Sequence, residues 1–459
     1  MSAWTLDRVG AALGPLLTGA RPSGETPLRA VSTDTRSIGA GDLFVALVGE
    51  RFDGHAFVAQ AVQAGAAALV VSDPRAAAAA GVPVFVVDDT TAALGALGRW
   101  WRRTWGGCVV AVAGSNGKTS TKGMLASVLG ERLRVHATAG NLNNQVGVPL
   151  TLLGIPADAE LAVVEVGTNH PGEVALLRDL VEPDVAVITS IGEEHLEGFG
   201  SLAGVLQEEV SICHGVPTIV VPAAQPEVGV AARAFGGAVI EAGVDAGTVR
   251  PDAWGVDGDG RGWLQLGEHP ATIPLVGAHN VRNACLAVAV GRACGVDDAS
   301  IARGLAATPP AAMRSVVERL GTLRIYNDAY NANPASAREA LATMDAMDGT
   351  MRRVVVLGSM LELGAESAAL HDAIARRAVE SRADVIAAVG DFVDAFARVA
   401  PGDPRVVTAP DVTTVWPALR PRVAPDSLVL LKGSRGTRLE RLLPELAALG
   451  GASAPVQSH

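Results

Sequence analysis

No stretch of about twenty consecutive apolar residues occurs anywhere in this chain, so a helix that spans a membrane is not expected. Cysteine is scarce. Cys108, Cys213, Cys285 and Cys294 are scattered at spacings that fit no zinc pattern, and buried free thiols in a reducing cytoplasm are the expectation. Positive charge is short as well: 37 lysines and arginines stand against 48 aspartates and glutamates, a formal net charge of −11. That balance argues against nucleic acid as a main partner, and any phosphate must be met by local cations. The opening Met1-Ser2-Ala3-Trp4-Thr5-Leu6-Asp7-Arg8 brings charge before an apolar stretch can form, which predicts mature protein in place of a signal peptide.

What the chain has in quantity is apolar surface and glycine. Of 459 residues, 49% are hydrophobic, 19% charged and 52 glycine, so it can fill more than one core, and its length suggests two to four domains. Short β-like runs alternate with helical ones, as in α/β proteins, and fall into three blocks. Residues 1–104 hold expected strands at 43–47, 68–71 and 84–87, a helix over about 55–64, and a second helix from an N-cap at Asp88-Asp89-Thr90 to Trp101. Residues 105–311 hold 161–166, 185–188 and 218–221, near-continuous apolar runs that suit a parallel sheet covered on both faces. A hinge is expected at Thr308-Pro309-Pro310. Residues 312–459 repeat the alternation at 354–357, 385–389 and 428–431. Trp100-Trp101-Arg102-Arg103-Thr104-Trp105 reads as a domain junction, Ala76 to Ala80 as helix-favouring, and Ala452 to His459 as a frayed tail.

The sharpest signal is Gly114-Ser115-Asn116-Gly117-Lys118-Thr119-Ser120, between the apolar run 109–112 and a helix-like stretch from Thr121 to Leu129. Backbone N–H groups of a glycine-rich turn at a helix start point at an anion, and the helix dipole adds to the attraction. These seven residues are expected to cradle phosphates, with Lys118 on the outer ones and the Thr119 hydroxyl on Mg²⁺. The general nucleotide motif has glycine where Val112 stands, so this is a shorter GxxGKT variant.

Glu165 closes an expected strand ahead of Gly167-Thr168-Asn169-His170, and beside Thr119 it becomes a candidate Mg²⁺ ligand. His195 arrives after the strand ending at Ile188, within Gly192-Glu193-Glu194-His195-Leu196-Glu197. Asn280 and Asn283 open a helix that Asn280 would simply cap on the plainest reading. Arg314 and Asp328 bracket a strand. The string Asp328-Ala329-Tyr330-Asn331-Ala332-Asn333-Pro334 is too polar for a plain turn, and Lys432-Gly433-Ser434-Arg435-Gly436 adds a cationic rim.

Joined by Thr138-Ala139-Gly140-Asn141-Leu142-Asn143-Asn144-Gln145-Val146-Gly147-Val148-Pro149, the segment Glu194 to Leu202 and Met360-Leu361-Glu362-Leu363-Gly364, these motifs resemble the Mur ligases over nearly the whole chain. Those are the ATP-dependent amide ligases of peptidoglycan precursor synthesis, and the strings are most similar to those of the member that adds D-Ala-D-Ala. The resemblance implies an α/β, three-domain architecture: an N-terminal UDP-substrate domain over 1–104, a central P-loop ATPase domain with a mainly parallel sheet over 105–311, and a C-terminal Rossmann-like domain for the amine over 312–459. It implies that the carboxylate of UDP-MurNAc-tripeptide becomes an acyl phosphate, which the D-Ala-D-Ala amine attacks as ADP and phosphate leave. ATP and Mg²⁺ are then the cofactors of a cytoplasmic monomer whose partners are small molecules, with neither nucleic acid nor membrane insertion. By the same resemblance Lys118, Glu165, His195 and Arg314 serve catalysis and Thr119, Glu165 and His195 hold metal, with Glu209 expected to join both sets from a position where the family carries another residue. Asn280 reads the adenine with Asn283 nearby, and Asp328 the ribose. Ser32, Asp34, Arg36, Asp53, Gly54 and His55, the last three within Gly49-Glu50-Arg51-Phe52-Asp53-Gly54-His55, hold the uridine diphosphate end of the acid, with Thr138, Asn141 and Asn144 also on substrate. Asn331 and Asn333 face the dipeptide, and Lys432, Ser434 and Arg435 its carboxylate.

Three positions depart from the family pattern. Glu209 stands where a lysine, through its carbamate, helps hold a second Mg²⁺, and its carboxylate is expected to supply those oxygens directly. Ser359 stands where aspartate is common, and Ser190 where asparagine precedes the Ile-Gly pair. A Mur-type ligase with another amine or acid, and a non-catalytic ATP-binding relative, are the alternatives. Folate-type glutamate ligases share the phosphate loop but are not expected to carry Asp53-Gly54-His55 or Asn331-Ala332-Asn333.

Overall fold

The structure is a computed structural model that describes residues 4–49, 52–78, 80–349 and 351–452. Glu50 and Arg51 of the expected substrate segment, Ala79 of the alanine run, Met1 to Ala3 and residues 453–459 lie outside the described residues. The chain forms two compact units, one built from 1–109, 136–166 and 176–183, the other from 110–135, 167–175 and 184–459.

The first unit carries a four-stranded parallel sheet, Val31–Ser32, Leu43–Val45, Ala68–Val71 and Val84–Val86 in that order. Phe44, Leu69 and Val71 pack with Val58 and Ala61 of the helix Val58–Gln63, so the apolar runs are covered as a parallel sheet requires. The expected strand 43–47 stops early because Leu47 turns away and accepts the Gly54 N–H at 2.7 Å. The alanine run forms only a 3₁₀ turn, Pro74–Ala77, since so few residues ahead of Gly81 cannot offset the cost of nucleating a helix. The helix Thr90–Trp105 starts at Asp89, whose carboxylate accepts the N–H groups of Thr91 and Ala92, and continues past Trp101 to a left-handed Gly106. At this end of the helix Trp101 and Arg102 face inward, while Arg103 and Thr104 are exposed. Trp101 gives its indole N–H to the Ile155 carbonyl at 3.0 Å, and the buried Arg102 guanidinium spans the carbonyls of Gly107, Val181 and Glu182. Among the described residues no helix is long and apolar enough to cross a membrane.

In the second unit residues 110–113 of the strand Cys108–Ala113 lie side by side and parallel with Val185–Ile188, followed by Thr218–Pro222 and Ala238–Ala242. An antiparallel sheet of Ala253–Val256, Arg261–Leu266 and His269–Val276 follows, which the sequence reading passed over. Its middle strand alternates exposed and buried positions, a half-covered pattern that long apolar runs do not reveal. A six-stranded sheet closes the chain in the order Val316–Leu320, Leu323–Asp328, Leu428–Lys432, Arg353–Leu357, Val385–Val389 and Val406–Ala409. Only the first pairing is antiparallel. Tyr326, Leu341, Met344 and Phe392 fill one face and Ile325, Val354, Leu431 and Leu446 the other. The four cysteines are free; Cys213 and Cys285 are buried, which pushes both thiols up to about 12, whereas Cys108 and Cys294 are only half-buried.

Candidate active site

The phosphate loop leaves the strand Cys108–Ala113 through Gly114 (φ 116°) and enters the helix Lys118–Gly130 through Gly117 (φ 88°). A Cβ on Gly114 would lie 2.5 Å from Thr189 Oγ1, and one on Gly117 2.7 Å from Asn283 Oδ1, so both positions require glycine in conformation and in space. The loop is strapped to the segment after Val185–Ile188. Ser115 N donates to the Ser190 carbonyl at 2.7 Å, and Gly192 N donates to Ser115 Oγ at 2.9 Å. Asn116 N donates to Ser190 Oγ, which donates in turn to the Asn116 carbonyl, both at 3.1 Å. Ser190, one of the departures, is thus a two-way tie on the loop. Gln225 holds the next residue by both backbone groups, accepting from Ile191 N at 2.8 Å and donating to its carbonyl at 2.7 Å. The helix has no side-chain cap, and its first N–H groups and dipole face the loop, where Thr119 and Ser120 lie half-buried in the first turn.

Lys118 Nζ donates to the Gly114 carbonyl and lies 3.4 Å from the Ser115 carbonyl and 3.8 Å from Glu194 Oε2. Glu209, wholly buried in the helix Leu202–Val210, accepts the Gly114 N–H at 2.7 Å. Burial drives the Glu209 carboxyl up to about 8; the Lys118 charge pulls it down and the Glu194 charge pushes it up. Glu209 Oε1 and Glu194 Oε1 are both buried without a donor among the described residues. Two such oxygens fit a hard cation, the ligand class that the sequence assigns to Glu209. Neither Glu194 nor the Gly114 contact was legible in the sequence.

Glu165 belongs to the first unit, at the end of the strand Leu161–Glu165. Its N–H donates to Thr138 Oγ1 at 2.9 Å, and Asn143 Nδ2 donates to its Oε1 at 2.9 Å. Asn143, which the sequence reading left out in favour of Asn141 and Asn144, is the asparagine in contact. Asn144 Oδ1 accepts the Val146 and Gly147 N–H groups at the start of the helix Gly147–Leu153, and Asn141 is exposed. His195 adopts φ 46°, and its Nδ1 contacts the carboxylate of Glu362, itself at φ 65°. Among the described residues no three His, Cys, Asp or Glu side chains converge as a ready metal cluster.

Asn280 does not cap its helix. The helix Ala278–Ala293 starts at Gly277, because Asn280 lies inside the first turn, wholly buried, with its Nδ2 on the Val276 carbonyl at 2.8 Å. Its Oδ1 accepts from Asn283 Nδ2 at 3.2 Å, and Asn283 packs against Gly117. Asp328 accepts the Ser315 N–H at 2.9 Å and Lys432 Nζ at 2.6 Å; the buried Lys432 also donates to the Asn331 carbonyl at 2.7 Å. The Arg314 guanidinium lies 3.9 Å over the Tyr330 ring, between Met313 and Ser315, which both have positive φ. Arg435 pairs with Glu440 at 3.2 Å. Ser434 Oγ accepts the Leu361 N–H at 3.0 Å, and Ser359 Oγ accepts the Asp391 N–H at 2.9 Å, so this second departure also closes a turn. Met360 N donates to Nε2 of the buried His371 at 3.0 Å, a histidine the sequence reading did not single out.

In the first unit Asp34 forms an ion pair with Arg36 at 2.6 Å, which holds its carboxyl down at about 2, and Ser32 Oγ accepts the Asp34 N–H at 3.3 Å. Asp53 accepts the His55 N–H at 2.9 Å and meets His55 Nδ1 at 2.6 Å. His55 Nε2 accepts two backbone N–H groups, from Ser72 at 2.9 Å and Asp73 at 3.1 Å, which assigns the ring proton to Nδ1. A Cβ on Gly54 would lie 2.6 Å from the Leu47 carbonyl.

Three family descriptions match the chain: "Mur ligase family, catalytic domain" over 27–102, "Mur ligase middle domain" over 112–291, and "Mur ligase, glutamate ligase domain" over 313–435. The UDP-N-acetylmuramoyl-tripeptide--D-alanyl-D-alanine ligase of Escherichia coli is 35% identical, covering 95% of this chain and 98% of that protein. The protein of the same name from Bacillus subtilis is 34% identical over 92% of this chain and 94% of its own length. Among solved structures, MurF from Acinetobacter baumannii aligns with a TM-score of 0.87 at 32% identity, over 97% of this chain and 99% of that one. MurF ligase from Thermotoga maritima in complex with ADP aligns with a TM-score of 0.80 at 25% identity, over 92% and 98%.

Proposed function

This chain belongs to the Mur ligase family, and from that premise we propose that it joins D-Ala-D-Ala to UDP-MurNAc-tripeptide at the expense of ATP, giving UDP-MurNAc-pentapeptide, ADP and phosphate. It is an ATP-dependent peptide ligase of peptidoglycan synthesis. The observation that carries this reading is the glycine cradle at an uncapped helix start, with Lys118 inside it and Glu209 behind it.

In the first step a carboxylate oxygen of the tripeptide bonds to the γ-phosphorus as the bond to ADP breaks. Negative charge spreads over the transferred phosphoryl group, and Lys118 and Arg314 are the cations assigned to neutralise it. In the second step the dipeptide amine attacks the acyl carbon, loses a proton, and phosphate leaves. Thr119, Glu165, His195 and Glu209 would hold Mg²⁺, which when bound offsets phosphate charge as a Lewis acid. Asn280 and Asn283 are assigned to the adenine side and Asp328 to the ribose. Ser32, Asp34, Arg36, Asp53, Gly54 and His55 go to the uridine diphosphate end, Thr138, Asn141 and Asn144 to the acid, and Asn331 with Arg435 to the dipeptide. The domain assignment follows: residues 1–104 take the UDP-linked acid, 105–311 ATP, and 312–459 the amine. We place the enzyme in the cytoplasm as a monomer.

The test is phosphate release with Mg-ATP, UDP-MurNAc-tripeptide and D-Ala-D-Ala, each omitted in turn, with the product weighed by mass spectrometry. Release that needs all three and yields the pentapeptide is expected. Nucleotide binding without release would move the assignment to another amine or acid, or to a non-catalytic binder.

A further inference from the structure

The Asn333 side chain is buried, and its polar groups are turned toward protein. It is the N-cap of the helix Pro334–Ala346: its Oδ1 accepts the Ser336 N–H at 2.9 Å, while its own N–H donates to Ser336 Oγ at 3.1 Å. Its Nδ2 donates to Asn116 Oδ1 at 3.0 Å. Asn116 is the middle of the phosphate loop, and its backbone N–H and carbonyl are both engaged by Ser190. The contact does not stand alone. A Cβ on Gly192 would meet Ala335 Cβ at 3.4 Å, and Arg338, one turn into the same helix, approaches Glu193 at 3.4 Å.

We propose that Asn333 is a positioning residue for the nucleotide: it anchors the start of the helix Pro334–Ala346 to Asn116 and so holds the phosphate loop in its cradle shape. The expected place of Asn333 at the dipeptide is thereby exchanged for one at the loop. Both amide groups must be present for the bond, because an asparagine supplies a donor and an acceptor on one planar group, and the cap uses the acceptor of Asn333 while the loop uses its donor. The role of the loop rests on the nucleotide-ligase reading above.

Two substitutions separate this role from capping. Asn333→Asp keeps the cap acceptor, since aspartate caps as well as asparagine, but sets a carboxylate against Asn116 Oδ1. Asn116→Ala removes the same bond without touching the cap. ADP affinity, measured by calorimetry on the full chain, is expected to fall roughly three- to tenfold in each, the range for one hydrogen bond. The double variant is expected to be no weaker than the weaker single one, because the two changes remove one shared interaction. In turnover the KM for ATP should rise and that for D-Ala-D-Ala should hold. Additive losses in the double variant, or a raised D-Ala-D-Ala KM with ADP affinity intact, would overturn the proposal. The ADP titration does not depend on the identity of the amine, so failure of the ligation assay leaves this test standing.

Discussion

Glu209 accepts the Gly114 N–H at 2.7 Å from a wholly buried position, so the phosphate loop is braced from behind by a carboxyl that the chain supplies from a different helix. Burial raises that carboxyl, and the adjoining Glu194 raises it further, against the pull of Lys118.

Glu209→Gln keeps an acceptor for Gly114 but removes the ionisable carboxyl that a bound cation would draw into its charged form. Binding of Mn²⁺ as a Mg²⁺ substitute, followed by electron paramagnetic resonance in the presence of ADP, should weaken by about tenfold or more, equivalent to about 1.4 kcal/mol. Glu209→Ala should in addition lose about 1–3 kcal/mol of stability, because the buried Gly114 N–H is left unpaired. Activity should be the same with and without added bicarbonate. Stimulation by bicarbonate, or undiminished Mn²⁺ affinity in the Gln variant, would remove Glu209 from the metal set.

Gly114→Ala and Gly117→Ala both place a methyl group into occupied space at positive φ. Each should cost about 1–3 kcal/mol, and ADP binding should suffer most, since the strain falls on the loop itself. Circular dichroism and an ADP titration check this. A variant that binds ADP as the parent does would mean that the loop relaxes without consequence.

Lys432 is buried with its ammonium on Asp328 at 2.6 Å and on the Asn331 carbonyl at 2.7 Å. Lys432→Met should destabilise by about 3–5 kcal/mol in urea unfolding, because it strands a largely buried carboxylate. Adding Asp328→Asn should restore part of the loss. No recovery in the double variant would show that packing of the lysine stem, and not the charge pair, dominates.

His371 is held neutral: Nε2 accepts the Met360 N–H, and Nδ1 donates to the Ser367 carbonyl at 2.7 Å. Burial lowers its pKa, as it does that of His136. Between the folded and unfolded pKa values the unfolded chain binds more protons, so stability is full above the unfolded value of about 6.5 and declines as pH falls from there. Glu209, held up at about 8, gains stability on acidification over the same range, so the test is the difference between the parent and His371→Gln: the parent's advantage in melting temperature should shrink as pH falls from 8 to 5. An advantage of the parent over His371→Gln that grows on acidification would refute the assignment.

The third-block departure at Ser359 and the second-block departure at Ser190 look like losses when read one position at a time. Folded, Ser190 ties both backbone groups of Asn116, and Ser359 takes the Asp391 N–H. A hydroxyl can donate and accept, so a small polar residue suffices where the backbone comes close. Helix starts were partly legible for the same local reason. Asp89 caps its helix, as its place ahead of the apolar run predicts; Asn280 is the plainest candidate on its helix, yet Gly277 is the start, because the Asn280 amide turns inward to the Val276 carbonyl.

The phosphate loop, the apolar parallel strands and the family resemblance could be read from the order of residues alone, because strand, glycine turn, lysine and helix are neighbours along the chain, and local backbone geometry fixes what they do. Only the folded chain could decide that Glu209 meets Gly114, that Glu362 reaches His195, that Asn143 and not Asn144 touches Glu165, and that Asn333 serves Asn116. Each of these is a single bond between residues brought together by packing, and no periodicity or spacing in the chain records which buried polar group will be left needing a partner.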